Sequence, residues 1–86
     1  MRICWADEAW EDYLWWQTQG RRTLKRINSL TRDIARNGNK GLGKPEALRH
    51  QLSGYRARLI TEEHRLVRRI TDPEIQIAAC RYHYGR

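Results

Sequence analysis

Eighty-six residues are enough for one small domain, and we expect a single domain over residues 1–86. Seventeen Lys and Arg residues against ten Asp and Glu residues give a formal net charge of +7, which suits a polyanionic partner such as a nucleic acid. Apolar stretches are only a few residues long, which excludes a transmembrane helix, and we expect no membrane partner. Acidic residues stand where a signal peptide would have its apolar segment, so we expect a cytoplasmic protein.

The first part of the chain predicts one strand and two helices. Residues 3–5 form a short apolar run typical of a strand, and residues 7–19 predict a helix with acidic residues in its first turn. Gly20 ends that pattern, and residues 21–36 predict a second helix, followed by a flexible loop over residues 37–43. The expected buried face of the first helix is Ala9, Trp10, Tyr13, Leu14 and Gln17. The expected buried stripe of the second is Leu24, Ile27, Leu30 or Thr31, and Ile34.

After the loop, the hydrophobic period falls from about 3.6 to 2, which is typical of strands. Residues 55–60, 65–70 and 75–82 predict three successive antiparallel strands separated by polar turns. In the middle strand, Arg65, Val67 and Arg69 share one face, which is left for something anionic if the other face packs on the helices. The sequence therefore predicts an α+β fold in which two N-terminal helices pack on an antiparallel sheet, in the order β-α-α-β-β-β.

The two cysteines and three histidines do not form a recognisable metal site. Cys4 and Cys80 are far apart in sequence, form no CxxC pair and are expected to be small buried strand residues rather than a disulfide. The chain also has no GxxxxGK[ST] phosphate loop, no HExxH helix and no acidic cluster typical of a magnesium site. We therefore expect no metal and no cofactor.

A basic protein can cleave RNA without a metal by using the 2′-hydroxyl of the RNA as the nucleophile. The reaction needs a general base, a general acid and fixed cations that stabilise the charged phosphorane. Glu46, with Lys44, Arg49 and His50 around it, is a candidate base because nearby cations keep a carboxylate ionised. Two further candidates are a general acid, His83, and a cation, Arg65.

Each of these candidates also has an ordinary structural explanation. Glu46 fits the first turn of a helix, and His83 fits a surface position near the C-terminus. Arg65 fits an exposed strand position beside Glu62 or Glu63. The residue types alone therefore leave the catalytic interpretation open.

Four segments closely resemble the YoeB (Txe) toxins of bacterial type II toxin–antitoxin modules, within the RelE superfamily. They are GKPEALRH at 43–50, LSGY at 52–55, RLITEEHRLV at 58–67 and AACRYHY at 78–84. The resemblance extends from Trp5 to Tyr84. It implies a compact microbial-ribonuclease-like fold and a ribosome-dependent endoribonuclease that cleaves mRNA in the ribosomal A site and so inhibits translation.

The resemblance also assigns roles to residues of this chain. It implies that Glu46 is the general base, that Arg65 stabilises the transition state and that His83 is the general acid. Tyr84 matches a tyrosine that shapes the site or holds the scissile nucleotide. We further expect four cationic side chains to contact RNA: Lys44, Arg49, Arg58 and Arg81.

The partners implied by the resemblance are a YefM-type antitoxin, the 70S ribosome with its mRNA, and a second copy of the chain in a homodimer. Two other functions remain open at this point, namely a non-catalytic ribosome-docking or RNA-binding module and a ParE-like gyrase inhibitor. The presence of Glu46, Arg65 and His83 argues against both, because binding alone needs neither a general base nor a general acid.

Overall fold

The computed structural model describes residues 2–38, 40–41, 43, 45–49, 53–71 and 73–82. Within these ranges no helix is long and apolar enough to cross a membrane. The elements, in chain order, are β1 (Arg2–Trp5), α1 (Asp7–Trp16), α2 (Arg21–Asn37), β2 (Glu46–Ala47), β3 (Arg56–Leu59), β4 (Arg65–Thr71) and β5 (Glu74–Ala79).

The strands form one sheet in the order β1-β5-β4-β3-β2. The predicted α+β class, the two helices and the three C-terminal strands are confirmed. Two details of the prediction are wrong. The sheet is mixed, because β1 lies parallel to β5 whereas the other neighbours are antiparallel. The chain also has an additional strand, β2, whose two residues are too short to produce a periodic sequence pattern.

Both helices lie on one face of the sheet, called here the inner face, and their contact with it forms the main core. Ile27, Leu30 and Ile34 of α2 are fully or almost fully buried, as the helical spacing predicts. The sheet side of the same core consists of Ile60, Leu66, Ile75, Ile77 and Cys80. The opposite face, called here the outer face, has a smaller apolar cluster made of Leu48, Ala57 and Val67.

The buried face of α1 differs from the predicted one. Ala9, Asp12 and Trp16 are buried, while Trp10 and Leu14 are exposed by 46% and 39%. The cause is a polar contact across the fold, since a carboxylate oxygen of Asp12 accepts the Cys80 N–H at 3.0 Å. The side chain of Trp16 donates its indole N–H to the carbonyl oxygen of Cys80 at 2.7 Å. α1 is therefore rotated to satisfy the backbone of Cys80 as well as to bury apolar surface.

The last strand is shorter than predicted because its hydrogen bonding changes at residue 80. The ladder between β4 and β5 shifts register between Val67 and Arg68. At this irregularity Ala78 and Ala79 both pack against the cluster of the outer face, whereas Cys80 enters the inner core. α1 then takes both backbone polar groups of Cys80, so the chain leaves the sheet.

Arg58 anchors the loop that connects α2 to β2. Its side chain is fully buried and forms an ion pair with Asp33 of α2 at 2.5 Å. The same guanidinium donates to the carbonyl oxygens of Gly38 and Lys40, each at 2.7 Å. Gly41 permits this close approach, because a Cβ there would lie 2.1 Å from a carboxylate oxygen of Asp33 and its φ is +115°.

Replacing Arg58 by Met is expected to lower the free energy of unfolding by about 3–5 kcal/mol, because it leaves the Asp33 carboxylate and two carbonyl oxygens without their buried donor. Urea unfolding followed by tryptophan fluorescence measures the loss. Arg32→Met, at an exposed position of α2, is the matched control and should change stability by about 0.5 kcal/mol or less. Equal stabilities for the two variants would contradict the anchoring role.

Candidate active site

The outer face of the sheet carries the proposed base, Glu46. The registers pair Glu46 with Ala57, Ala57 with Val67, and Val67 with Ala79, so these four residues form a row across four strands. Directly paired residues point to the same face, which places Glu46 at the end of a row of small apolar side chains. Glu46 is exposed, whereas Ala57 and Val67 are buried. Ala57, Val67 and Ala79 therefore form a shallow apolar surface, called here the apolar floor, with the Glu46 carboxylate at its edge.

Arg65 lies on the same face as Glu46. It is two residues before Val67 on β4 and pairs with Leu59 of β3. Two strand spacings and an offset of two residues put the Cα atoms of Glu46 and Arg65 roughly 12 Å apart. Because both side chains are long, a ribose-phosphate unit can lie between their polar ends.

The loop before β4 holds the guanidinium of Arg65. One terminal nitrogen, Nη1, donates to the carbonyl oxygens of Thr61, Glu62 and His64 at 2.8, 3.0 and 3.1 Å. Arg65 is half-buried, so its charge remains near the surface while its orientation is fixed. A cation held in this way needs little rearrangement to stabilise a charge that develops on a phosphate.

The predicted residues His83, Tyr84 and Lys44, with His50, lie outside the described residues. The structure does describe the segment that leads to His83. The Tyr82 N–H donates to Nδ1 of His64 at 2.7 Å, and the carbonyl oxygen of Tyr82 accepts the Arg65 N–H at 2.9 Å. The chain therefore reaches residue 83 from a point beside Arg65, whereas the expectation of a regular strand up to residue 82 is wrong.

The cations expected to contact RNA lie in different environments. Arg49 is exposed, as that role requires. The guanidinium of Arg81 stacks on the ring of Trp15, 3.5 Å from its centroid, and also lies 4.6 Å from the ring centroid of Tyr82. The expectation for Arg58 is wrong, because its guanidinium is fully buried on the inner face against Asp33 and cannot reach an RNA at the surface.

A second arginine is buried on the inner face. Arg68 is fully buried, and its burial, together with the positive charges of Arg58 and Arg56, lowers the pKa of its guanidinium to about 10. It therefore still carries its charge at neutral pH. The positive charge of β4 is consequently divided between the two faces, with Arg65 and Arg69 outside and Arg68 inside.

A polar network occupies the outer face at the β1 edge of the sheet. Arg69 donates to the side-chain oxygen of Gln76 through Nε and Nη2, at 3.1 and 2.6 Å. Gln76 in turn donates to Glu74, which also accepts hydrogen bonds from Arg2 and from the thiol of Cys4. The bonds from Gln76 and Cys4 lower the pKa of the Glu74 carboxyl, and the bond to Glu74 raises the pKa of the Cys4 thiol.

Both cysteines are free thiols, but their surroundings differ. Cys80 is buried, as predicted, whereas Cys4 on β1 is only partly buried. Among the residues that the structure describes, no three His, Cys, Asp or Glu side chains are grouped so that they could hold a metal ion. The arrangement that the outer face does offer is a carboxylate and a fixed guanidinium on either side of a shallow apolar floor.

Sequence reasoning missed four residues that position this site: Asp12, Trp16, Asp33 and His64. Asp12 is absent from the expected buried face of α1, although it lies three residues after Ala9 and four before Trp16, on one helix face. That spacing is a signal for a carboxylate on the buried side of α1. Asp33 and His64 gave no comparable signal, because their partners lie on other elements.

Comparison with known proteins gives consistent matches over the whole chain. The family model described as a YoeB-like toxin of bacterial type II toxin-antitoxin systems matches residues 5–84. Toxin YoeB of Escherichia coli K12 is 54% identical over 84 residues, which cover 98% of this chain and all of that protein.

Two solved structures from Staphylococcus aureus share the fold at 45% sequence identity. They are a YoeB dimer, with a TM-score of 0.90, and a YoeB-YefM complex, with a TM-score of 0.89. Each match covers 98% of this chain and 98% of the other chain.

The network at the β1 edge predicts the reactivity of Cys4. Replacing Glu74 by Ala removes the acceptor and the negative charge that raise the pKa of the Cys4 thiol, so alkylation at mildly alkaline pH should be several-fold faster. Mass spectrometry after timed iodoacetamide treatment measures the rate, with the buried Cys80 as an internal reference. Glu11→Ala, on an exposed part of α1, is the control. An unchanged Cys4 rate in Glu74→Ala would show that the hydrogen bond does not form in solution.

Proposed function

Because the chain belongs to the YoeB-like toxin family of bacterial type II toxin–antitoxin systems, we propose that it is an mRNA endoribonuclease that cleaves in the ribosomal A site. The activity depends on the ribosome, requires no metal and halts translation. The observation that carries this proposal is the placement of Glu46 and Arg65 on one face of the sheet, with the segment leading to His83 bonded to the backbone of Arg65.

The proposed reaction is an internal transfer within the RNA. Glu46 removes the proton of the 2′-hydroxyl, and the resulting oxygen forms a bond to the adjacent phosphorus. The bond from phosphorus to the 5′-oxygen breaks, and His83 gives that oxygen a proton. The products are a 2′,3′-cyclic phosphate and a free 5′-hydroxyl.

Two other side chains complete the proposed site. Arg65 stabilises the extra negative charge of the phosphorane, and its fixed guanidinium suits that role because it needs little reorganisation. Tyr84 shapes the site or holds the scissile nucleotide. We propose Lys44, Arg49 and Arg81 for contacts with the RNA, and we omit Arg58 because it is buried.

The proposed partners follow from the family and from charge. A YefM-type antitoxin is proposed to bind the chain, in line with the YoeB-YefM complex of the Staphylococcus aureus relative. A second copy of the chain is proposed as a further partner, in line with the YoeB dimer from the same organism. Because the proposed substrate is mRNA on the 70S ribosome, we place the protein in the cytoplasm.

Cleavage mapping of a defined mRNA with purified protein, with and without 70S ribosomes, tests the proposed reaction. We expect cuts at the A-site codon that require ribosomes. Glu46→Gln and His83→Gln should each lower the single-turnover rate by about 10²–10⁴-fold while ribosome affinity is retained, since each removes one proton-transfer group. Glu11→Gln is the control and should cleave like the wild type.

Other results would identify the alternative functions. Ribosome binding without any cleavage by the wild type would indicate a docking module, because such a module needs no acid or base. Altered DNA topology with intact mRNA would indicate a gyrase inhibitor. Normal cleavage by both Glu46→Gln and His83→Gln would overturn the acid–base assignment.

The antitoxin is proposed to cover or distort the region of Glu46, Arg65 and His83. An acidic inhibitor segment that folds on binding has an electrostatic reason to associate with a chain of net charge +7. We therefore expect the antitoxin and a non-cleavable RNA analogue to compete for the toxin. Fluorescence titration of the labelled analogue, with and without saturating antitoxin, measures this competition. Simultaneous binding with no loss of affinity would contradict it.

A further inference from the structure

The backbone of Tyr82 is held on both sides by two consecutive residues. Its N–H donates to Nδ1 of His64 at 2.7 Å, and its carbonyl oxygen accepts the N–H of Arg65 at 2.9 Å. The carbonyl carbon of Tyr82 is the atom to which residue 83 is joined. The start of the proposed acid-bearing segment is therefore fixed relative to the arginine that is proposed to stabilise the transition state.

The backbone conformation of Tyr82 is unfavourable and needs stabilising contacts. Its φ is +60°, the only positive φ of a non-glycine residue among the described parts of the chain. This left-handed conformation costs a non-glycine residue about 1–2 kcal/mol. Tyr82 is 45% exposed, and its hydroxyl accepts a hydrogen bond from Arg81 at 2.7 Å. The two backbone hydrogen bonds act together with this side-chain contact to offset the cost of the turn.

The ring of His64 is itself held in place. It packs edge-to-face against Trp16, with ring centroids 4.8 Å apart, and lies 5.5 Å from the ring of Tyr82. Trp16 is fixed in turn by its hydrogen bond to the Cys80 carbonyl oxygen. A hydrogen bond accepted at Nδ1 requires the neutral imidazole with its proton on Nε2. The packing against Trp16 thus orients the His64 ring so that the lone pair on Nδ1 points at the Tyr82 N–H.

We propose that His64 is a positioning residue of the active site, which acts by holding the backbone of Tyr82 at the point from which the chain continues to residue 83. The inference rests on the proposed function, since it assigns His64 a role in the same reaction. His64 does not touch the RNA in this proposal, and its effect passes through the backbone of Tyr82. A displacement of about 1 Å in a catalytic group can cost about 100-fold in rate, so loss of this hydrogen bond should be visible in cleavage.

Three variants separate the hydrogen bond from packing. His64→Phe keeps an aromatic ring against Trp16 but removes the acceptor, and His64→Ala removes both. His64→Asn restores an acceptor, because its side-chain oxygen stands about where Nδ1 does. Glu63→Gln, an exposed neighbour in the same loop, is the control.

We expect His64→Phe and His64→Ala to lower the single-turnover cleavage rate by about 10–100-fold with ribosome affinity unchanged. His64→Asn should recover most of that loss, whereas Glu63→Gln should cleave like the wild type. A purely structural role would instead follow the stability of the variants, measured by urea unfolding, and would not favour Asn over Phe. Equal rates for Asn and Phe would overturn the proposal.

A double-mutant cycle tests whether His64 acts through residue 83. In a His83→Gln background the general acid is already absent, so His64→Phe should add little further loss of rate. Full additivity of the two losses would overturn the positioning role.

Hydrogen exchange of the Tyr82 amide, followed by NMR, provides a readout that needs no activity. The amide should be protected in the wild type and in His64→Asn and exposed in His64→Phe. If the Tyr82 amide of the wild type is unprotected, the hydrogen bond from Tyr82 to His64 does not persist in solution, and the proposed role of His64 is refuted even if cleavage occurs. A protected amide in a wild type that cleaves no RNA would refute the proposed function alone.

Discussion

The position of the proposed base depends on a buried ion pair on the other face of the sheet. Arg58 of β3 brings together Asp33 of α2 and the carbonyl oxygens of Gly38 and Lys40 in the loop that follows α2. A guanidinium can serve all three acceptors because its donors spread in a planar fork, which a lysine lacks. The neighbouring residue, Ala57, pairs with Glu46. Burying the charge is costly, and the carboxylate with two carbonyl oxygens offsets that cost. The same contact that closes the core therefore fixes the start of β2.

The other side of the proposed site depends on α1 and on the loop before β4. Asp12 and Trp16 take both polar groups of the Cys80 backbone, which ends β5 at a defined residue. Two residues later, His64 and Arg65 do the same for Tyr82. The bonds to Cys80 are buried, so breaking either of them would leave a polar group unsatisfied and the chain has little freedom there. The proposed base and the segment that leads to the proposed acid are thus held by separate parts of the fold, and that segment is bonded to the backbone of Arg65.

The elements that could be predicted from the sequence are those with a repeating pattern of apolar residues. The stripe of α2 and the three C-terminal strands follow from repeats of 3.6 and 2, and the outer-face placement of Arg65 follows from alternation along β4. Features set by a single distant partner were not predictable in this way. The carboxylate of Asp12 is buried because of a backbone group 68 residues away, so the expected face of α1 was wrong. Residue type does not separate a buried arginine from an exposed one, so the sequence alone groups Arg58 with the RNA-binding cations. The two residues of β2 are too few for any pattern.

The cationic side chains behind the net charge of +7 do not form one surface, and their positions decide what each can do. Arg58 and Arg68 are fully buried and contribute to the core rather than to an RNA-binding surface.

The exposed cations of α2 are Arg21, Arg22, Lys25, Arg32 and Arg36. Because α2 packs on the inner face, these charges lie on the side of the sheet opposite Glu46 and Arg65. Attraction to a polyanion is screened beyond about 8–10 Å at moderate salt, so the α2 cations act mainly on a polyanion that faces the helix side of the domain. Stabilising a phosphorane requires contact, which only the outer face can provide under the proposed mechanism. Affinity and chemistry therefore depend on different arginines of the same small domain.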